Sequence, residues 1–204
     1  MKEKDITFED EGKLWKAADK LRKKVEVHEY KYVVLGLIFL RYLSYAFEEK
    51  RKEILNREAK SYPEEFKMQV AEDRDIYLAN GTLYVPEKAS WDYIKKNANQ
   101  QNIGEILDEA IGALEGEHPK QLKDVIPKIY TKINLDHYDL AYLINLFSSI
   151  QFGLEHRGKD IFGRIYGYAF GKFTEAEGKK QKAKRVVNFT PQDASQSLLL
   201  RLLM

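Results

Sequence analysis

Four histidines are the first residues to weigh for chemistry: His28, His118, His137 and His156. No two stand three or four apart, the spacing that puts two imidazoles on one helix face around a metal. His28 and His118 fall near helix ends, and a surface or helix-capping role is the reading for all four. The carboxylates Glu48, Glu49, Glu64, Glu65, Asp73 and Asp75 mostly lie beside lysine or arginine. That is the pattern of a solvated helix face laced with ion pairs one turn apart. Gly163, Gly167 and Gly171 recur every four residues. A phosphate-cradling loop needs closely spaced glycines after a strand, so these glycines point to close helix packing instead. Basic residues cluster twice. Lys20, Arg22, Lys23 and Lys24 are the candidate phosphate-contacting residues, and Lys172, Lys179, Lys180, Lys182, Lys184 and Arg185 form a second group. Either group can meet a nucleic-acid backbone or complement the negative end of a helix.

The elements that must carry these residues are helical. Leu14, Ala18, Leu21 and Val25 recur at helix spacing and predict a first amphipathic helix. A longer helix is predicted from about Glu29 to Ala59. Its first half is apolar on nearly all sides, as in a buried post, and its second half is charged and expected to project into solvent. Pro63, Asn80, Gly81 and Pro86 then break the pattern, with Thr82–Val85 a candidate short strand and Trp91 opening the next helix. Asn102 with Glu105 three residues later predicts a capping box. The stripe that follows is Ile103, Ile106, Leu107, Ala110, Ile111 and Leu114. Past a proline-broken connection from His118 to Leu135, Asp136 is expected to cap a helix bearing Leu140, Leu143, Ile144 and Phe147. A last helix is expected from near Asp160, with Phe162, Ile165, Ala169 and Phe173 inward. About six helices, at most one short strand and no internal repeat predict a compact all-α domain.

Composition sets the remaining bounds. The 204 residues fit one domain, or one domain and a short tail. The net charge is +2, so nucleic-acid contact requires a local basic patch rather than a globally basic chain. There is no cysteine, which excludes disulfides and thiolate metal sites and suits a reducing cytoplasm. The N-terminus is charged and carries no secretory signal pattern. The longest apolar run, Tyr32–Leu40, falls far short of the about 20 residues a membrane span needs, so no membrane partner is expected.

Several segments together resemble one family. LWKAADKLR and EYKYVVLGLIFLRYLSYAFEE (Glu29–Glu49), LYVPEKASWDYI (Leu83–Ile94), NIGEILDEAIGALE (Asn102–Glu115) and DIFGRIYGYAFGKFTEAEGKK (Asp160–Lys180) occur in the order of the modification subunits of type I restriction-modification systems. The resemblance implies an N-terminal helical domain over residues 1–180 that helps clamp DNA and join subunits, ahead of a methyltransferase core. The full subunit of that family methylates adenine N6 in DNA from S-adenosylmethionine. It assembles with a specificity subunit and with other modification or restriction subunits. This sequence has no Gly-x-Gly and no Pro-Pro, the elements of the family's cofactor turn and catalytic motif. No catalytic, cofactor-binding or metal-binding residue is therefore assigned, no cofactor is expected in this chain, and it should be inactive alone. Lys20, Arg22, Lys23 and Lys24 are the candidate DNA contacts. A free-standing protein that binds modification or specificity subunits, or a non-functional truncated product, are the competing readings.

The tail, residues 181–204, departs from the family, which continues with Gly-Gly-Glu-Phe-Tyr-Thr-Pro. One choice among the degenerate codons for Arg185–Pro191, continued into Gln192, spells that same motif when read one base out of register. The expectation is a frame slip between about Gly178 and Arg185, where Lys179–Lys180 can be encoded by a slippage-prone run of adenines, with out-of-frame peptide from Gln181 to Met204; a diverged in-frame tail with a helical end at Ser195–Met204 is the alternative.

Overall fold

The computed structural model describes residues 24–57, 60 and 62–150, together with Gly12, Lys16, Lys20 and Leu21. Among these residues the fold is all-α, without a strand. Helix α1 (Val27–Asn56) is followed by α2 (Glu64–Ala71) and α3 (Arg74–Ala79). A 3-10 turn at Glu87–Ala89 leads into α4 (Trp91–Lys96), α5 (Ile103–Glu117), α6 (Pro119–Leu122) and α7 (His137–Ser148). The helix expected from Asp160 and its glycines at 163, 167 and 171 lie outside the described residues.

Helix α1 is the post of the domain. Thirty residues at 1.5 Å each make it about 45 Å long. Tyr30, Val33, Val34, Leu37, Ile38, Phe39 and Leu40 are almost wholly buried, which is possible only with packing on every side. The helix meets α2, α4 and α7, while α5 lies across α4, α6, α7 and the 3-10 turn. The α5 stripe expected from the sequence is buried at all six positions, as are Leu140, Leu143, Ile144 and Phe147 of α7.

Three local expectations require correction. The charged half of α1 does not simply project into solvent. Helix α2 packs against it, Ile54 is fully buried, and Arg51 pairs with Glu72 at the end of α2 at 2.7 Å. Thr82–Val85 forms no strand. The Thr82 amide donates to the Tyr77 carbonyl, and the Tyr84 carbonyl meets His118 Nε2 at 2.7 Å, so a helix end and a side chain serve the groups that a ladder would use. Asn102 precedes α5 but its side chain does not cap it. The turns at Asn97–Gln100 and Gln100–Ile103 hold its backbone at φ −92°, ψ 22°, not the extended geometry of a side-chain cap.

The connection before α7 is fastened by one carboxylate and one tyrosine. Asp108 on α5 accepts from the Tyr130 amide, the Thr131 amide and the Thr131 hydroxyl, at 3.1, 3.0 and 2.7 Å. The Tyr130 hydroxyl, buried, donates to the Val33 carbonyl of α1 at 2.9 Å. It fits there because Gly36 has no Cβ; one would stand 2.6 Å from that hydroxyl oxygen. Gly104 makes a similar allowance on α5, where a Cβ would lie 2.9 Å from the Tyr130 carbonyl oxygen.

Burial of phenols makes stability alkali-sensitive. Desolvation pushes Tyr42 and Tyr77 up to about 12 and Tyr130 well above its ordinary value of 10. Unfolded, these phenols ionise near 10. Their contribution is therefore complete below pH 10 and lost as pH rises toward 12. Denaturant titrations at stepped pH should give constant stability up to about pH 9 and a steep fall between 10 and 12. A flat profile across that window would contradict the buried, protonated state of these rings.

Candidate nucleic-acid interface

Of the four lysine and arginine candidates, Lys20 and Lys24 are described, and Arg22 and Lys23 lie outside the described residues. Leu21 and Val25 anchor this segment in the core. Alternating with them, Lys20 and Lys24 reach the start of α7. Lys24 Nζ pairs with Asp139 at 2.5 Å and Asp136 at 3.3 Å, and Lys20 Nζ stands 3.7 Å from Asp139 and 3.9 Å over the ring of Tyr142.

Both carboxylates belong to the helix cap. Asp136 Oδ1 accepts from the Asp139 amide at 2.9 Å, as the sequence predicts for a cap. Asp139 lies within the first turn, where negative charge is favoured by the helix dipole, and its side chain is only 3% exposed. The bond to Asp139 holds the Lys24 ammonium above its ordinary range. The Asp139 amide, reinforced by Lys24, holds Asp136 below the usual carboxylate value of 3.8. A depressed carboxylate contributes stability above its unfolded value and loses it as pH falls through its folded one. Methyl NMR signals of Leu21 and Val25 should therefore hold steady down to about pH 4 and shift below it. Signals unchanged down to pH 2 would show that Asp136 does not secure this segment. Lys24 is substantially exposed, so the pair is screened and fastens the segment locally rather than supporting the whole fold.

The other candidates resolve differently. His118 is buried rather than at the surface, and because a carbonyl only accepts, its Nε2 must carry the proton donated to Tyr84. The His137 ring lies 3.9 Å from that of Tyr138. The His28 side chain, His156 and the second basic cluster at 172–185 lie outside the described residues. Among the described residues no group of three histidines or carboxylates could hold a metal. Glu49 pairs with Lys52 at 2.8 Å and Glu53 with Arg57 at 2.9 Å, as solvated helix faces do; Asp73 caps α3 through the Asp75 amide.

Two features of this region escape sequence reasoning. Asp139 shows no sign in the sequence of pairing with residues 115 and 119 positions away. Tyr138 and Tyr142, spaced four apart and out of step with the apolar stripe of α7, are 72% and 38% exposed; their spacing was the available signal.

No described helix is long and apolar enough to cross a membrane.

Comparison with known proteins places this helical unit. The profile described as the HsdM N-terminal domain matches residues 11–147. The type I restriction enzyme MjaIX methylase subunit of Methanocaldococcus jannaschii is 57% identical over 181 residues, which cover 86% of this chain and 32% of that protein. The chain thus spans about a third of that relative's length. The match encompasses the buried post, the α5 stripe and nearly all of α7, so the core and the lysine–aspartate junction fall within it, and the chain belongs to the HsdM N-terminal domain family.

Proposed function

We propose that this chain supplies the DNA-gripping and subunit-joining part of a type I adenine-N6 methylase, without catalytic machinery of its own. The observation that carries this reading is the family match over residues 11–147, in a chain that has neither Gly-x-Gly nor Pro-Pro. Its partners are DNA, the specificity subunit and the other modification or restriction subunits of the complex. Phosphate contact falls to the segment bearing Lys20, Arg22, Lys23 and Lys24. In this reading residues 1–180 form the family domain and residues 181–204 are out-of-frame peptide.

The purified chain should bind duplex DNA with an affinity that falls steeply as salt rises. It should be captured by an immobilised specificity subunit and transfer no methyl group from S-adenosylmethionine to DNA. Methyl transfer by this chain alone would sink the proposal, as would failure to engage both DNA and the specificity subunit. For the tail the gene is the test: the bases after the Lys180 codon must encode the methyltransferase core in the shifted frame.

A further inference from the structure

Asn80–Gly81 is the one Asn-Gly pair in the sequence. Both residues are exposed, and they close the C-terminal end of α3. Gly81 sits at φ 67°, a conformation that glycine adopts without strain. A Cβ there would meet nothing within 4 Å, so the backbone angle rather than space calls for glycine.

Asparagine is a labile side chain, most of all before glycine, which leaves the next backbone nitrogen uncrowded. The Gly81 nitrogen would give its proton to a solvent base and bond to Asn80 Cγ. The Cγ–Nδ2 bond would then break, ammonia would leave, and a succinimide ring would close. Water opens that ring at either carbonyl, giving aspartate or isoaspartate. Ring closure requires the Gly81 nitrogen to eclipse Cβ about the Cα–C bond. At Asn80 ψ is 9°, so that nitrogen instead eclipses Asn80's own amide nitrogen, a third of a turn from Cβ.

Hydrogen bonds hold this unreactive setting. The Asn80 side-chain amide donates to the Ile76 carbonyl at 2.8 Å. The Gly81 amide donates to the Leu78 carbonyl at 3.0 Å, and the Thr82 amide to the Tyr77 carbonyl at 2.9 Å. The group that would leave and the nitrogen that would attack are both engaged by the last carbonyls of α3, which the helix itself leaves unserved.

We infer that Asn80 is a deamidation site which the folded end of α3 keeps latent, and that reaction there opens this corner irreversibly. The product carboxylate cannot donate to the Ile76 carbonyl. It also places negative charge at the C-terminal end of a helix, where the dipole disfavours it. Isoaspartate lengthens the main chain by one carbon and displaces Thr82 from the Tyr77 carbonyl. Behind the cap lie the rings of Phe47, Tyr77 and Tyr84, with centroids 4.8, 5.2 and 5.7 Å apart. The Tyr84 carbonyl in turn meets His118. A change at an exposed turn therefore reaches the packing of α3 on α1.

The test is incubation of the full chain at mildly alkaline pH, natively and in urea, with deamidation at Asn80 followed by peptide mapping. Conversion should be about 10- to 100-fold slower in the native chain, the scale of first opening two or three hydrogen bonds. Equal rates in the two conditions would overturn the latency, and no conversion in urea would overturn the site. Asn80→Asp supplies the product's charge directly, whereas Asn80→Ala removes the donor alone. Hydrogen exchange of the Gly81 and Thr82 amides should quicken by about 3- to 10-fold in Asn80→Ala and further in Asn80→Asp. Thermal melts establish that both variants, at an exposed position, retain the fold. Exchange in Asn80→Asp no faster than in the wild-type chain would overturn the opening of the corner.

Discussion

Replacing Tyr130 with alanine should lower the unfolding free energy by about 3–5 kcal/mol, the range for deleting a large buried aromatic. The ring is 2% exposed, so nearly all its packing is lost, and the cavity opens between α1 and the connection before α7. The hydroxyl is a separate contribution. Tyr130→Phe keeps the ring and removes the bond to the Val33 carbonyl, which should cost about 1 kcal/mol. Denaturant unfolding of the two variants separates packing from hydrogen bonding. Equal losses would mean that the hydroxyl bond, not the ring, secures the connection. Asp108 should remain in place in both variants, because it holds the backbone amides of residues 130 and 131 rather than the ring.

Trp91→Ala is the second substitution expected to cost about 3–5 kcal/mol. Trp91 opens α4 at the junction of three helices. Its amide donates to Ser44 Oγ of α1 at 2.8 Å, and its indole Nε1 donates to Ser148 Oγ of α7 at 2.9 Å. Ser44 in turn donates to Glu48 and Ser148 to the Ile144 carbonyl, so Trp91, through its amide and its indole, links two polar side-chain contacts across an otherwise apolar layer. Trp91→Phe should recover most of the packing but leave Ser148 without its donor. Its cost should therefore fall between wild type and alanine. A phenylalanine variant as unstable as the alanine one would put the weight on the indole N–H. Guanidinium unfolding read by far-UV circular dichroism gives both values without relying on tryptophan emission.

The parts of this fold legible in the sequence are those set by periodicity. The α5 stripe and the apolar face of α7 are repeats of one residue type at 3.6-residue spacing, and neighbours along the chain suffice to reveal them. The Asp136 cap is equally local. Contacts between distant residues are not legible in this way. Asp108 reads as one more surface carboxylate until the chain brings residues 130 and 131 beneath it. His118 sits at a helix end, as expected, but its burial and its hydrogen bond to the Tyr84 carbonyl, 34 positions away, are not. Lys20 and Lys24 read from sequence as cations available to phosphate; α7 folds back and supplies them with aspartates from more than 110 positions away. Asn102 marks the other limit, because a residue type favourable for capping is decided by the backbone around it, and the preceding turns give that backbone the wrong geometry. For the candidate interface, the lysines were visible as a cluster, while the tyrosine face needed the exposure of each side to be known.

The slot at Gly36 has a consequence for how the domain finds a single packing. A helix that is apolar all round has no azimuth of its own, because any rotation about its axis presents another greasy surface to its neighbours. Rotating α1 by one residue, 100° about the axis, would swing Leu35 or Leu37 to where Gly36 now admits the Tyr130 hydroxyl. Neither has room for that oxygen, and the phenol would be buried without its acceptor. One missing side chain and one phenol therefore help to index the post, alongside the Trp91–Ser44 bond and the Arg51–Glu72 pair. A leucine introduced at position 36 would be hydrophobically compatible with the core, yet it would erase the mark by which the core is aligned.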